Sequence, residues 1–336
     1  MTRILVLYYS QTGQLTQAAR SMMAPLENNR DIEIVWENLK PRKPYPFPWP
    51  FLDFLDVFPE SVHMIPPEME PVSFDPDSRF DLIVLAYQVW FLSPSLPVTG
   101  FLKSPAARAL KDTSVITLIA CRNMWLCAQE KVKTMLKSLG ARHIDNVVLV
   151  DQWPPLATFV TTPRWLLTGK KGGFWGIFPP AGVSAMDIAN AARFGRAIAE
   201  SLPVLKSKPG ASILWGLGAV KVNPGYIASE KIAHRSFYIW GKLFRRIGEQ
   251  GHPLRRALLL VYVVFLVSMI LTVVPLGVIS RAVLKPFLRR RLDAQAAKFE
   301  QPSGASTERI AQYNPLVKGN GGFSSETHTN LWLTKG

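Results

Sequence analysis

The apolar positions of the first 150 residues fall into short runs separated by stretches with helical spacing. Runs at Ile4–Tyr9, Ile32–Trp36, Leu82–Tyr87, Val115–Ala120 and Val147–Asp151 are rich in Val, Ile, Leu and Tyr, the pattern of strands buried on both faces. Between them, Gln14–Pro25, Val98–Leu110 and Leu126–Leu139 predict helices. Ser184–Ser201 predicts a later one, with Ser184 as its N-cap and Asp187 at its third helical position. This alternation predicts an α/β class with a doubly wound five-stranded parallel sheet in the order 2-1-3-4-5. A ligand then belongs at the carboxyl ends of the strands.

Two stretches interrupt the alternation. Residues 40–78 contain Pro-Tyr-Pro-Phe-Pro-Trp-Pro and further prolines, too many for one crossover helix. They read as an ordered aromatic loop with at most a short helix near Phe51–Val57. Residues 151–183 form a second insertion, rich in Trp, Phe, Gly and Pro. Its Lys170-Lys171-Gly172-Gly173 lacks the spacing of a phosphate-binding P-loop.

Beyond residue 205 the composition changes. Ile227–Ile247 reads as a helix with basic and aromatic residues interleaved. Ala257–Ile279 is 23 residues without a charge, long enough to cross a bilayer core, a buried core helix being the alternative. Basic residues flank both ends: Arg245, Arg246, Arg255 and Arg256 before, Arg281, Lys285, Arg289, Arg290 and Arg291 after. The two flanks nearly balance, and Pro275 and Gly277 interrupt the run near its end. A single span and a re-entrant insertion with both flanks cytoplasmic therefore both fit. Residues 302–336 read as a loose tail. The division expected is a cofactor domain over 1–203, a basic helical region with its apolar segment over 204–300, and the tail.

Charge sharpens that division. Residues 1–201 carry 20 Lys+Arg against 18 Asp+Glu, whereas residues 202–336 carry 19 against 6. The net charge of +15 therefore belongs to the C-terminal part. With an apolar run beside it, that charge points to an anionic membrane surface; no zinc-finger spacing or RNA-binding signature speaks for nucleic acid. Cys121 and Cys127 match neither a redox C-x-x-C nor a zinc pattern, so no metal is expected, and two thiols suit a reducing compartment. A core strand beginning at Ile4 is not a cleaved signal peptide. The expected location is the inner face of a cytoplasmic membrane.

The chemistry concentrates where the first strand ends. Ser10-Gln11-Thr12-Gly13-Gln14-Leu15-Thr16 is a hydroxyl- and glycine-bearing turn between strand and helix. Backbone N–H groups and a helix N-terminus converge there on one point, where a phosphate can sit. No Lys lies in the turn, which disfavours a nucleoside triphosphate with magnesium. A single phosphomonoester fits, and this points to FMN in a flavodoxin-like domain.

Two further loops would complete such a site. After the third strand, Gln88, Val89, Trp90, Phe91 and Leu92 offer backbone groups and a flat aromatic wall. This loop resembles that of flavodoxin-like quinone reductases, with Trp90, Pro94, Pro97 and Phe101 at matching positions. After the fourth strand, Cys121, Arg122, Asn123, Met124 and Trp125 bring a cation and an amide to the same end of the sheet. Arg122 there would stabilise an anionic reduced flavin.

Residues 1–201 as a whole resemble a bacterial family of flavodoxin-like proteins of dialkylresorcinol and aryl-polyene pigment pathways, the dialkylresorcinol-condensing enzymes. The resemblance is carried by residues 7–16 (Leu-Tyr-Tyr-Ser-Gln-Thr-Gly-Gln-Leu-Thr), Tyr-Pro-Phe-Pro-Trp at 45–49 and Pro-Glu-Ser-Val at 59–62. It extends through Trp-Phe-Leu-Ser-Pro-Ser at 90–95, Arg-Asn-Met-Trp at 122–125, Leu-Thr-Gly-Lys-Lys at 167–171 and Gly-Ile-Phe-Pro at 176–179. Leu15 departs from ordinary flavodoxins, where a Thr closes the phosphate turn; Thr16 is the substitute. The resemblance implies an aromatase that oxidises a 2,5-dialkylcyclohexane-1,3-dione, made by a partner ketosynthase, to the resorcinol. Its lipophilic substrate would suit the aromatic loops and the apolar segment, and flavodoxin-like reductases are commonly homodimers. Tyr87, His63, His143, Asp151 and Arg122 are the polar candidates for catalysis, with Tyr87 and Arg122 as the polarising groups. The alternatives are a membrane-associated NAD(P)H:quinone reductase and, outside enzymes, an electron carrier or scaffold subunit.

Overall fold

Five parallel strands form the centre of the molecule. They are β1 (Thr2–Tyr8), β2 (Ile32–Asn38), β3 (Leu82–Tyr87), β6 (Ser114–Cys121) and β7 (Arg142–Val150), in the order β2-β1-β3-β6-β7. Between β3 and β6 a two-residue hairpin pairs β4 (Val89–Trp90) with β5 (Ser93–Pro94). The order of the parallel strands is the flavodoxin one, 2-1-3-4-5, so the sheet is doubly wound as the sequence predicts. The structure, a computed structural model, describes residues 1–313, with the side chains of 273–288 left out.

The strands lack alternation because both faces are covered. Ile4 to Leu7 and Leu82 to Tyr87 are wholly buried. Right-handed crossovers put α1 (Gln14–Glu27) on the face opposite α4 (Leu96–Lys103) and α5 (Leu126–Ser138). Helices α7 (Ala185–Asn190) and α8 (Ala192–Ser207) pack on α1. A Cβ at Gly195 would lie 1.8 Å from the Met22 carbonyl oxygen, so only glycine allows α8 this close to α1.

Several expected boundaries shift for identifiable reasons. The helix expected over Val98–Leu110 breaks at Ser104, after which Pro105–Leu110 forms a 3-10 turn. Proline lacks an N–H and drives the residue before it out of the helical region. The helix expected over Ser184–Ser201 is two helices meeting at Ala191, and the second continues past Pro203 to Ser207. The cap is as predicted: Ser184 Oγ accepts from Asp187 N at 3.0 Å. Residues 40–78 hold two short helices rather than one, α2 (Phe51–Asp56) and α3 (Phe58–His63). The second insertion contains α6 (Pro155–Thr168), which its prolines conceal; Pro154 and Pro155 occupy the N-cap and first helical position, where no N–H is needed.

Residues 302–313, expected to be loose, are packed. Asn146 N donates to Ser303 Oγ and Ser303 Oγ donates to Asp145 Oδ1, both at 2.7 Å. Tyr313, in the short α11 (Ile310–Tyr313), donates its hydroxyl to Glu200 at 2.6 Å. Buried Asp145 also accepts from Ser212 Oγ and from the backbone of Ile213 and Leu214. With Val148 N bonded to Ala219 O, this covers the β7 edge and joins Leu214, Leu217 and Val220 to the main core. The rest of the expected tail, 314–336, lies outside the described residues.

Helices α9 (Pro224–Ile247) and α10 (Pro253–Glu300) follow. The start of α10 docks on α2 and α3. Buried Arg255 sits 2.7 Å from Asp56 Oδ1, donates to Glu60 at 2.9 and 2.5 Å, and donates to the Asp56 carbonyl at 2.6 Å. Tyr262 stacks on Phe58 with ring centres 5.2 Å apart, and Phe265 lies 5.4 Å from Trp240 of α9. The end of α10 docks on the same body. Phe299 lies 5.6 Å under the Lys231 ammonium, Glu300 accepts from Val222 N, and Ala296 joins the main core. Trp240 and Lys231 are about 14 Å apart along α9, whereas a straight helix would separate Phe265 from Phe299 by about 51 Å. Extended side chains cannot bridge that difference, so the ends of α10 exclude a straight rod.

Candidate functional site

The first loop is a helix start with unused donors. Gly13 has φ of 77° at the N-cap of α1, with open space around its Cα. Among the described residues, the N–H groups of Thr12, Gly13, Gln14 and Leu15 find no acceptor. Ser10 Oγ accepts from Thr16 N at 3.4 Å, and Gln11 Nε2 donates to the Pro46 carbonyl at 2.7 Å. The side chains of Gln14 and Leu15 point elsewhere. Gln14 makes two 3.0 Å hydrogen bonds to the backbone of Val183, and Leu15 is wholly buried in the core. Both contribute to this loop through their N–H groups alone.

In the second loop the β4–β5 hairpin turns on Phe91 and Leu92, both with positive φ (48° and 60°). A two-residue hairpin demands that geometry, which ordinarily calls for Asn and Gly. Bulky residues there hold backbone strain beside the strand ends, a feature of ligand sites. Gln88 Oε1 accepts from Gln11 N at 3.4 Å, tying the second loop to the first. Trp90 sits in an aromatic cluster, edge-on to Tyr9, Tyr45 and Trp49 at 5.0 to 5.9 Å. The Tyr45–Trp49 segment therefore closes over this end of the sheet, and burial pushes the Tyr9 and Tyr45 hydroxyls well above their ordinary range.

The third loop carries the charge. Arg122 lies 4.1 Å over the ring of Phe159 and donates to Thr158 Oγ1 at 3.3 Å, both on α6. Burial pushes its guanidinium below its ordinary value, with Tyr226, Cys121 and Asp151 opposing. Met124 has φ of 54°, and Trp125 is buried in the main core. Buried Asn123 Oδ1 has no hydrogen-bond partner. Asp151 ties the remaining chain to the site, accepting from Trp153 N and Gly182 N.

Helix α6, absent from the sequence expectation, packs beside the first and third of these loops. Thr158 meets Arg122 at one end and Trp165 approaches Gly182 beside Gln14 at the other. Between them, the buried Thr161 and Thr162 hydroxyls lack partners. Unpaired buried polar atoms are costly and call for a ligand or water. The Asn123 amide, two threonine hydroxyls and four free N–H groups at a helix N-terminus fit a ligand that ends in a phosphate and carries hydroxyl and ring polar atoms. FMN is such a molecule.

Tyr87 is not among these groups. It is wholly buried inside the sheet layer, where its hydroxyl donates to Gln129 Oε1, which belongs to a network through Thr117 to Asn146 and His143. Strand β3 is covered on both faces, so its last side chain points into the core, and the expectation of a polarising role is corrected. His63 bonds the Tyr238 carbonyl at 3.1 Å, and His143 is held down to about 4 by burial. Arg122, by contrast, lies at the carboxyl end of β6 with its guanidinium against α6.

No protein-family model and no curated protein matches the chain. Solved structures resemble it. A flavoprotein from Lactobacillus acidophilus in complex with FMN is 15% identical, covering 44% of this chain and 93% of its own, with a TM-score of 0.37. A flavoprotein from Bacteroides uniformis is 15% identical over 50% of this chain and 97% of its own, with a TM-score of 0.34. An NADH:FMN oxidoreductase in its apo form is 15% identical over 63% and 95%, with a TM-score of 0.31. The flavodoxin-like assignment rests on the strand order itself.

Proposed function

We propose that the chain is a membrane-attached, FMN-dependent oxidoreductase that aromatises a lipophilic 2,5-dialkylcyclohexane-1,3-dione to the dialkylresorcinol. The observation that carries the cofactor reading is the set of unpaired polar groups on the strand-end loops and on α6: the free N–H groups of Thr12 to Leu15, Asn123 Oδ1, and the Thr161 and Thr162 hydroxyls. When bound, FMN supplies two-electron oxidation, and the dione loses one proton and one hydride. The turn at 12–15 would hold the phosphate, and the hydroxyls and Asn123 the polar chain and ring edge. Arg122, oriented by Thr158 and Phe159, stabilises negative charge in a cleft from which α6 and the Tyr45–Trp49 segment exclude water. The dione reading itself rests on the family resemblance, which also implies a ketosynthase supplying the substrate and allows a homodimer.

Membrane attachment is supported by α10. Pro253–Thr272 has a mean hydropathy of 2.2, and Val261, Val264 and Leu271 are 62–70% exposed. A buried core helix would not leave these residues facing solvent. Both ends of α10 dock on the same body, which favours a segment that enters and leaves a bilayer on one side, with the catalytic domain on the cytoplasmic side.

The test is an absorbance spectrum of the full chain purified in detergent. A flavin spectrum that bleaches anaerobically on addition of the dione alone supports the proposal. A flavin spectrum that bleaches only with NAD(P)H supports the quinone-reductase reading, and a colourless protein overturns the cofactor.

A further inference from the structure

A cavity of about 410 Å³ lies outside the cofactor cleft, between α5, α9 and the returning end of α10. Its volume is that of a small-molecule site. Leu126 and Met135 of α5, Ile227 of α9 and Phe299 of α10 form apolar walls. One end is polar. Glu230, 1% exposed, faces the cavity from α9, and His234 follows one turn later.

Glu230 is held by one oxygen. Its Oε1 accepts from Cys127 N at 2.6 Å, at the start of α5, which fixes the orientation of the carboxylate. Its Oε2 is buried without a partner, and so is His234 Nε2. A carboxylate oxygen left unpaired in an apolar cavity is destabilising, a cost that a donor removes. The Lys131 ammonium is engaged elsewhere, donating to Ser93 Oγ at 2.8 Å and to the Val62 carbonyl at 3.3 Å, and does not neutralise the site. Burial pushes Glu230 up to about 7, so it stands ready to share a proton with a weakly acidic hydroxyl.

These features select a ligand class. With Glu230 ionised, the missing group donates to an oxygen already oriented, so a hydroxyl fits and a fatty-acid carboxylate is repelled. The rest of the molecule must be apolar to match the walls. Phe299 belongs to the stretch that returns from the exposed apolar part of α10, so the cavity lies where that segment rejoins the domain. We propose that this cavity binds a lipophilic molecule ending in a phenol- or enol-type hydroxyl, with the hydroxyl on Glu230 Oε2 and its apolar chain between α5 and Phe299. The assignment is independent of the flavin reaction, because binding alone defines it.

The test uses the full chain in detergent and a dodecylphenol carrying a photoreactive diazirine at the end of its chain. Labelling mapped by mass spectrometry is expected on the α5 and α9 peptides. At pH 8, where Glu230 is mostly ionised, unlabelled para-dodecylphenol should compete about tenfold better than its methyl ether, which has no hydrogen to donate to Oε2. Glu230→Gln keeps an acceptor for Cys127 N and should bring the two competitors to within about twofold of each other. Met135→Trp, which fills the cavity, should abolish labelling while the circular dichroism of the fold is unchanged. Labelling confined to other peptides, equal competition by phenol and ether in the unaltered protein, or an unchanged preference in Glu230→Gln would overturn the proposal. Loss of the flavin spectrum with labelling intact would count against the cofactor reading alone.

Discussion

The cofactor cleft and the α5–α9 cavity both contain buried polar atoms without partners, yet they are assembled in opposite ways. The cleft is made of consecutive residues at strand ends: Ser10 to Thr16, Gln88 to Leu92 and Cys121 to Trp125. The cavity is made of residues scattered from Leu126 to Phe299, joined only because α9 and α10 dock on the sheet domain. Parallel-sheet topology fixes the cleft, since every strand points its carboxyl end to the same place. The cavity depends on a helical layer held by a buried charge cluster around Arg255. The two sites should therefore fail independently, and that is how the comparison can be broken.

The largest effect is expected from Arg255→Met. It strands Glu60 without its cation and leaves the fully buried Asp56 with Arg256 alone, 3.3 Å from its other oxygen. Breaking a buried pair from one side costs about 3–5 kcal/mol. Differential scanning calorimetry should show a lower first transition, and limited proteolysis should cut first in α9 and α10, while the flavin spectrum persists. Simultaneous loss of flavin would show that the two regions form one cooperative unit.

Gly13→Val should act on the cleft alone. Its positive φ costs a β-branched residue at least about 1–2 kcal/mol, and the turn must distort to relieve it. FMN affinity should drop roughly tenfold or more by fluorescence titration, with the thermal midpoint little changed. Unchanged affinity would remove the phosphate from this turn.

Serine at Val261, Val264 and Leu271 together should move the protein from the membrane to the soluble fraction, since these are the most exposed large apolar side chains among the described residues of α10. Deleting everything after residue 249 is a poorer experiment, although the sequence reading makes it attractive. It would also remove Ser303 and Tyr313, which tie down Asp145 and Glu200.

The last expected effect depends on pH and carries a sign. Burial raises Glu230 from 4.5 to about 7, so the folded state holds a proton that the unfolded chain has released between those values. Stability from this group is intact below about pH 4.5, falls as pH rises, and is fully lost above about 7. Glu230→Gln should therefore be more stable than the parent by about 1–3 kcal/mol at pH 8, with the difference vanishing near pH 4. A difference that grows toward acid pH would reverse the assignment.

Much of the sheet is legible in the sequence. Leu82–Tyr87 agrees with its prediction at both ends, and the other strands differ by a few residues, because fully buried apolar runs leave few alternatives. The glycine turn and the loop at 121–125 were legible too, since their chemistry is local. Helix α6 was not, because its prolines signal a loop unless they stand at a helix start. Tyr87 was misplaced because a residue at a strand end reads as a loop neighbour, while its direction depends on the layer above it. Glu230 and His234 gave no signal: one turn of spacing on a basic amphipathic helix looks like any solvated face until a second helix buries it.

By itself, the sequence determined the α/β class, the strand order, the glycine turn after β1 and the existence of a long apolar segment. These follow from local periodicity and turn chemistry, which act between near neighbours. Only the tertiary structure decided that α6 packs beside the first and third strand-end loops, that Trp90 joins an aromatic cluster with Tyr45 and Trp49, and that both ends of α10 return to one body. Only it left Glu230 with a buried oxygen facing a cavity. Those outcomes come from contacts between residues up to about 200 positions apart, such as Asp56 with Arg255, and no local pattern encodes which partner will bury a given side chain.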